Sequence, residues 1–153
     1  MSSRIPELGE KSKNLPTILA EYADELETVE ENLKIKGKRL ETANYEQPGW
    51  LSHYDQRKIE LYTLVKYYEG EVARVRGKLF TKYTETHSHE LSDRAKDKYI
   101  DNEQAYLTMR ELYLEIKEMF DQYESVVKAF EARGFALRNI VNLRVSSMEE
   151  TII

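Results

Sequence analysis

Residues 105–130 read AYLTMRELYLEIKEMFDQYESVVKAF. Within them Ala105, Met109, Leu112, Ile116, Met119, Tyr123, Val126 and Phe130 recur in unbroken alternating steps of four and three. A period near 3.6 residues lays all of them along one helix face, whereas a strand needs alternation at every second residue. This stretch predicts a long amphipathic helix with a seam suited to packing against other long helices. The pair Arg133-Gly134 that follows is a standard stop signal, a cation near the carbonyl end and then a glycine. Beyond it, Phe135, Leu137, Ile140, Val141 and Leu143 predict a short apolar C-terminal helix to about residue 145, with a frayed tail from Ser146.

Upstream the same period recurs twice. Leu19, Tyr22, Leu26, Val29, Leu33 and Leu40 form a stripe interrupted only by Lys36. Thr17 is its expected N-cap, and Gln47-Pro48-Gly49 its expected end, because proline lacks the amide and glycine tolerates turns. Residues 1–16, with Pro6, Gly9 and Pro16, read as a flexible arm. A second long helix is expected from about Ser52 to Tyr83, striped by Tyr54, Leu61, Val65, Tyr68, Val72, Val75 and Leu79. Gly70 and Gly77 lie inside it, as a cost in helix propensity or as places for a partner backbone to come close. The polar stretch from Thr84 to Asn102 reads as a loop with one short helical turn. The expected fold class is all-α, three long helices plus a short C-terminal one, in a single helical domain over residues 17–145.

Composition agrees with that plan. Six Gly and three Pro among 153 residues are few, and 41% of the chain is apolar, enough to oppose disorder. With no Cys there is neither a disulfide framework nor a thiolate zinc site. Neither a signal-peptide core nor a stretch of transmembrane length is visible, which predicts a cytosolic protein without membrane association. The apolar segment from Phe135 to Leu143 exceeds what one short helix hides, so self-association is expected.

The net charge of −5 opposes a nucleic-acid binder only if positive charge is spread evenly. It is not. Residues 72–84, VARVRGKLFTKYT, carry Arg74, Arg76, Lys78 and Lys82 and no acid. On a helix Arg74, Lys78 and Lys82 line one flank, and Arg76 projects elsewhere. Phosphate binding needs such a local excess, since each neutralised phosphate releases counterions. Phe80 and Tyr83 add faces on which unpaired bases stack. The plainer reading is a solvated flank with both rings in the core. Arg133, Arg138 and Arg144 make a weaker cluster, equally explained by capping and interface ion pairs. His87 and His89, near Glu85, Glu90 and Asp93, lack a defined third ligand, so no metal site and no cofactor are expected. No glycine-rich phosphate loop, paired acids in a cleft or nucleophile motif is present, so an enzyme is not expected.

Two segments resemble the UvsY family of recombination mediators of T-even-type phages. Ala129–Arg144, AFEARGFALRNIVNLR, is similar to that family's C-terminal region through Arg133-Gly134-Phe135-Ala136, Leu137, Arg138, Ile140 and Leu143-Arg144. The basic island resembles the family's pair of basic residues one apart followed by leucine. Arg76-Gly77-Lys78-Leu79 fits this best, with Arg74-Val75-Arg76 as a competing register. The order of the basic pair is reversed relative to the family, and Gly77 stands between its members. The resemblance covers roughly residues 50–144. It implies a ring-shaped homo-oligomer, in the cytoplasm of an infected host cell, that binds single-stranded DNA. Such a protein helps a RecA-like recombinase displace the single-strand DNA-binding protein and build a presynaptic filament. Carried over, Arg76 and Lys78 are the DNA candidates, flanked by Arg74 and Lys82. Phe135, Leu137, Ile140, Val141 and Leu143 become the assembly element. The rival reading is a coiled-coil scaffold that binds proteins and no nucleic acid; a membrane-surface helix is more distant, since the island lacks an apolar face with Trp anchors.

Overall fold

The computed structural model describes the backbone of residues 11–86 and 91–151 and the side chains of 14–86 and 91–147. Every regular element among the described residues is α-helical: α1 (Lys11–Leu26), α2 (Val29–Leu33), α3 (Leu40–Thr86), α4 (Asp93–Asp101) and α5 (Gln104–Thr151). None of these helices is long and apolar enough to cross a membrane. The all-α expectation holds, but the breaks fall elsewhere than the local signals placed them.

The first expected helix is interrupted. Lys34 leaves α2 in an extended conformation, and Gly37, at φ +84°, turns the chain into α3. A side chain at that φ would be strained, and glycine is not. The interruption of the stripe at Lys36 marks the same place. Pro48 and Gly49, expected to end a helix, lie inside the 47-residue α3. Both are exposed, so the Asn44 carbonyl that proline leaves without an amide partner lies on the wet side of the helix. The opposite side carries Trp50 and Tyr54 into the core. Likewise Arg133-Gly134 does not stop α5, and the expected C-terminal helix is its continuation to Thr151. Positions 11–16 of the expected arm are helical, with Pro16 inside α1 and Thr17 past its start; positions 1–10, 152 and 153 lie outside the described residues. Between Thr84 and Asn102, α3 runs on to Thr86. There α4 forms a nine-residue helix capped by the Ser92 hydroxyl, which accepts from the Ala95 amide at 3.2 Å.

The chain forms two compact units, residues 1–60 with 121–153 and residues 61–120. The first has an aromatic core. Tyr54 stacks on Phe130 at 4.9 Å, and Tyr22 meets Tyr123 edge-on at 5.6 Å, all four rings buried. Burying three tyrosines among these four rings requires partners for their hydroxyls. Tyr123 donates to the Tyr22 carbonyl (2.7 Å), and Tyr22 donates to Glu60 (2.6 Å), itself 2% exposed. Arg57 donates to both Glu60 (3.1 Å) and Glu25 (3.0 Å), and His53 Nε2 donates to Glu25. Burial pushes the Glu25 carboxyl up, but the His53 hydrogen bond and the Arg57 charge outweigh it and hold the group below its ordinary value. The network ties α1, α3 and α5 together. The second unit buries Leu61, Leu64, Val65, Tyr68 and Leu79 of α3 with Ile100 of α4 and Ile116 of α5.

Candidate nucleic-acid interface

The acid-free island of the sequence is not acid-free in space. Arg74 pairs with Glu71 one turn earlier, Nη2 to Oε2 at 2.6 Å. Arg76 reaches α4, where it meets Asp97 at 3.0 Å and Asp101 at 3.1 Å, with its guanidinium 5.2 Å from the centre of the Tyr106 ring. Lys82 lies 3.4 Å from Glu103, which also accepts from the Tyr83 hydroxyl. That hydroxyl holds the Glu103 carboxyl below its ordinary range. Lys78 is exposed and makes no ion pair within 4 Å among the described residues, though its charge helps hold the Glu71 carboxyl down. Three of the four cations therefore face four carboxylates, three of these contributed by α4 and by Glu103 just before α5.

The pairing is exchangeable. The cation end of every bridge is exposed, Arg76, the most covered, keeping 36% of its side chain in solvent, and Glu71 and Glu103 are the more covered carboxylates. Exposed ion pairs of this kind are worth about 0–1 kcal/mol each, so a polyphosphate chain can replace the carboxylates at small cost. Phosphate also brings the counterion release that a fixed aspartate does not.

Aromatic rings line the same face. Tyr83 stacks on Tyr99 with centroids 5.5 Å apart and planes 23° apart, and Tyr99 is 49% exposed. Lys96 lies over the half-buried Phe80 ring at 4.8 Å. The sequence singled out Phe80 and Tyr83; the more accessible ring, Tyr99, comes from α4 and was not anticipated. Gly70 and Gly77 leave open space where a Cβ would stand, so neither accommodates a close neighbour among the described residues.

In the other unit, the cluster of Arg133, Arg138 and Arg144 divides. Arg133 is only 4% exposed and is a packing residue: Nε donates to the Leu33 carbonyl (3.1 Å) and Nη1 to Gln47 Oε1 (2.7 Å). Arg138 and Arg144 are exposed. Gly134 admits Gln47, whose Nε2 donates to the Phe130 carbonyl and would meet an added Cβ at 3.0 Å. Of the expected assembly residues, Phe135 (62%) and Leu143 (69%) are exposed and Ile140 and Val141 half-buried, but Leu137 (1%) belongs to the chain's own core. Leu137 is thereby removed from any contact surface.

His87, His89 and Glu90 lie outside the described residues; Glu85 and Asp93 are exposed. Among the described residues no group of three or more His, Asp or Glu is placed to hold a metal ion.

A second basic run escaped the sequence reading. Lys34, Lys36, Lys38 and Arg39 crowd into six residues without an acid, a local excess as dense as the island's. The same count of charge along the chain finds it. Comparison with known proteins returns no match to a family model, a curated protein or a solved structure.

Proposed function

We propose that the chain is a recombination mediator, a non-enzymatic protein that binds single-stranded DNA and helps load a RecA-like recombinase where single-strand DNA-binding protein occupies the strand. The observation that carries the reading is the cluster of Arg76 and Lys82 with Tyr83 and Tyr99, Arg74 and Lys78 lying along the adjoining flank of α3. Cations and stackable rings interleave there; of the competing carboxylates Asp97 and Asp101 are exposed, while Glu71 and Glu103 are partly covered. The resemblance of Ala129–Arg144 to the UvsY family supports the rest of the role, including a ring-like homo-oligomer and the two protein partners. In this reading Asp97 and Asp101 hold Arg76 until phosphate replaces them, which discourages weak binding to other anions.

The test is titration of a fluorescent single-stranded oligonucleotide across a salt series. Arg76→Ala with Lys78→Ala is expected to weaken binding and to flatten the log–log salt slope by about 1.4, the value for two lost phosphate contacts on a single strand. Asp97→Asn with Asp101→Asn is expected to strengthen binding at the same salt. An unchanged slope in the first variant, with binding intact, rejects the face. No binding by the parent chain at low salt leaves the helical protein scaffold as the better account.

A further inference from the structure

In the second basic run, as in the island, three of the four cations have a carboxylate within 4 Å and one, here Lys36, has none. The run occupies the loop between α2 and α3, in the unit made of residues 1–60 and 121–153. Lys34 pairs with Glu31 (2.7 Å) and Lys38 with Glu46 (3.0 Å), while Arg39 stands 3.9 Å from Glu41, a distance too long for a firm hydrogen bond. Lys36 is exposed and has no carboxylate partner among the described residues. Arg144, at the far end of α5, is in the same condition. It follows Arg133 by eleven residues, close to three helical turns, and so returns to the face of α5 that meets this loop. Lys38, Arg39 and Arg144 line one hollow of about 520 Å³ with Glu41 as its single carboxylate.

The loop is also held in place. Buried Arg133 donates to the Leu33 carbonyl immediately before it and, at 3.4 Å, to the Ala43 carbonyl after it. Within it the Lys38 amide closes a turn on the Ile35 carbonyl at 3.1 Å, with Gly37 supplying the positive φ. Cations on a braced loop lose less conformational freedom on binding than cations on a free one. Tyr45, one turn beyond Glu41 on α3, is 79% exposed, a ring open to stacking.

We propose that the α2–α3 loop and Arg144 form a second surface for the phosphate backbone of single-stranded DNA, with Lys36 and Arg144 as its principal contacts and Tyr45 as a stacking ring. The proposal rests on the single-stranded-DNA reading and extends it from one face of the chain to two.

The experiment uses the full-length chain and a fluorescein-labelled thymidine oligonucleotide, with anisotropy read across a salt series. Lys36→Gln with Arg144→Gln removes two exposed cations without taking a partner from any described carboxylate, and circular dichroism checks the fold. Binding weaker by about tenfold near 0.1 M salt, with a slope flatter by about 1.4, is expected. Lys36→Arg is expected to bind as the parent does, and Tyr45→Ala to weaken binding without altering the slope. If the parent binds and the glutamine variant matches it in affinity and slope, the second surface is wrong while the mediator reading stands. If the parent fails to bind at low salt, both fall.

Discussion

Arg133 and Gly134 show how one pair of residues carries two opposite readings. A cation followed by glycine is a helix stop when only the chain direction is considered. In the folded chain the guanidinium is buried, its pKa pushed down by that burial, and it ties together the ends of the α2–α3 loop. Gly134 continues the helix and makes room for Gln47. Arg133→Gln is expected to destabilise the fold by about 3 kcal/mol, because carbonyl and amide groups buried around it lose their donor. Urea denaturation reads that loss as a fall in midpoint at unchanged helicity. The glycines make a matched comparison. Gly77→Ala, in open space, is expected to stabilise by about 1 kcal/mol through helix propensity. Gly134→Ala forfeits that gain, because the new Cβ presses Gln47 off the Phe130 carbonyl.

At the scale of elements, α3 and α5 persist through Pro48-Gly49 and Gly134 because the energy that maintains them comes from packed faces and not from local propensity. A proline in a helix interior costs about 3 kcal/mol, which one or two buried large side chains offset. Trp50 and Tyr54, directly after Pro48-Gly49, pack on Phe130 at 6.5 and 4.9 Å. The polar network gives the three-helix contact a pH dependence. The Glu25 carboxyl is held below its ordinary value of 4.5 in the folded chain, so protons bind the unfolded chain first as pH falls. Its contribution is complete above 4.5 and is lost as pH drops below that value through the lower folded pKa. Thermal melts at descending pH are expected to show Tm falling in that window. Glu25→Gln is expected to lower Tm at neutral pH and to flatten the fall. A slope identical to the parent's would exclude Glu25 as its source.

For the whole molecule, exposed apolar side chains carry the expectation of self-association. Phe135, Leu143 and Val145 keep about half or more of their surface on the outside of α5. Truncation at residue 134 is a poor test, since it removes Leu137 from the core as well. Phe135→Ser with Leu143→Ser leaves the core intact. It is expected to shift sedimentation toward smaller species, and an unchanged profile would place the assembly contact elsewhere.

The residue pattern by itself determined that the chain is helical, which faces are apolar, and that positive charge is concentrated in an acidic protein. Tyr54, Leu61, Val65, Tyr68, Ile116, Tyr123 and Phe130 were placed by period alone and all are buried, whereas Ala105 of the same stripe is exposed and Val127 is buried where the period named Val126. Periodicity is a property of neighbouring residues, so it survives without knowledge of the fold. Helix ends and charge balance are different, because they depend on groups distant in the chain. Whether Pro48 or Gly134 breaks a helix was decided by the aromatic core and by Gln47. Whether the island is free was decided by Asp97, Asp101 and Glu103, more than twenty residues from Arg76. Only packing brings those carboxylates within 4 Å of the cations, and only packing leaves Lys36 and Arg144 without them.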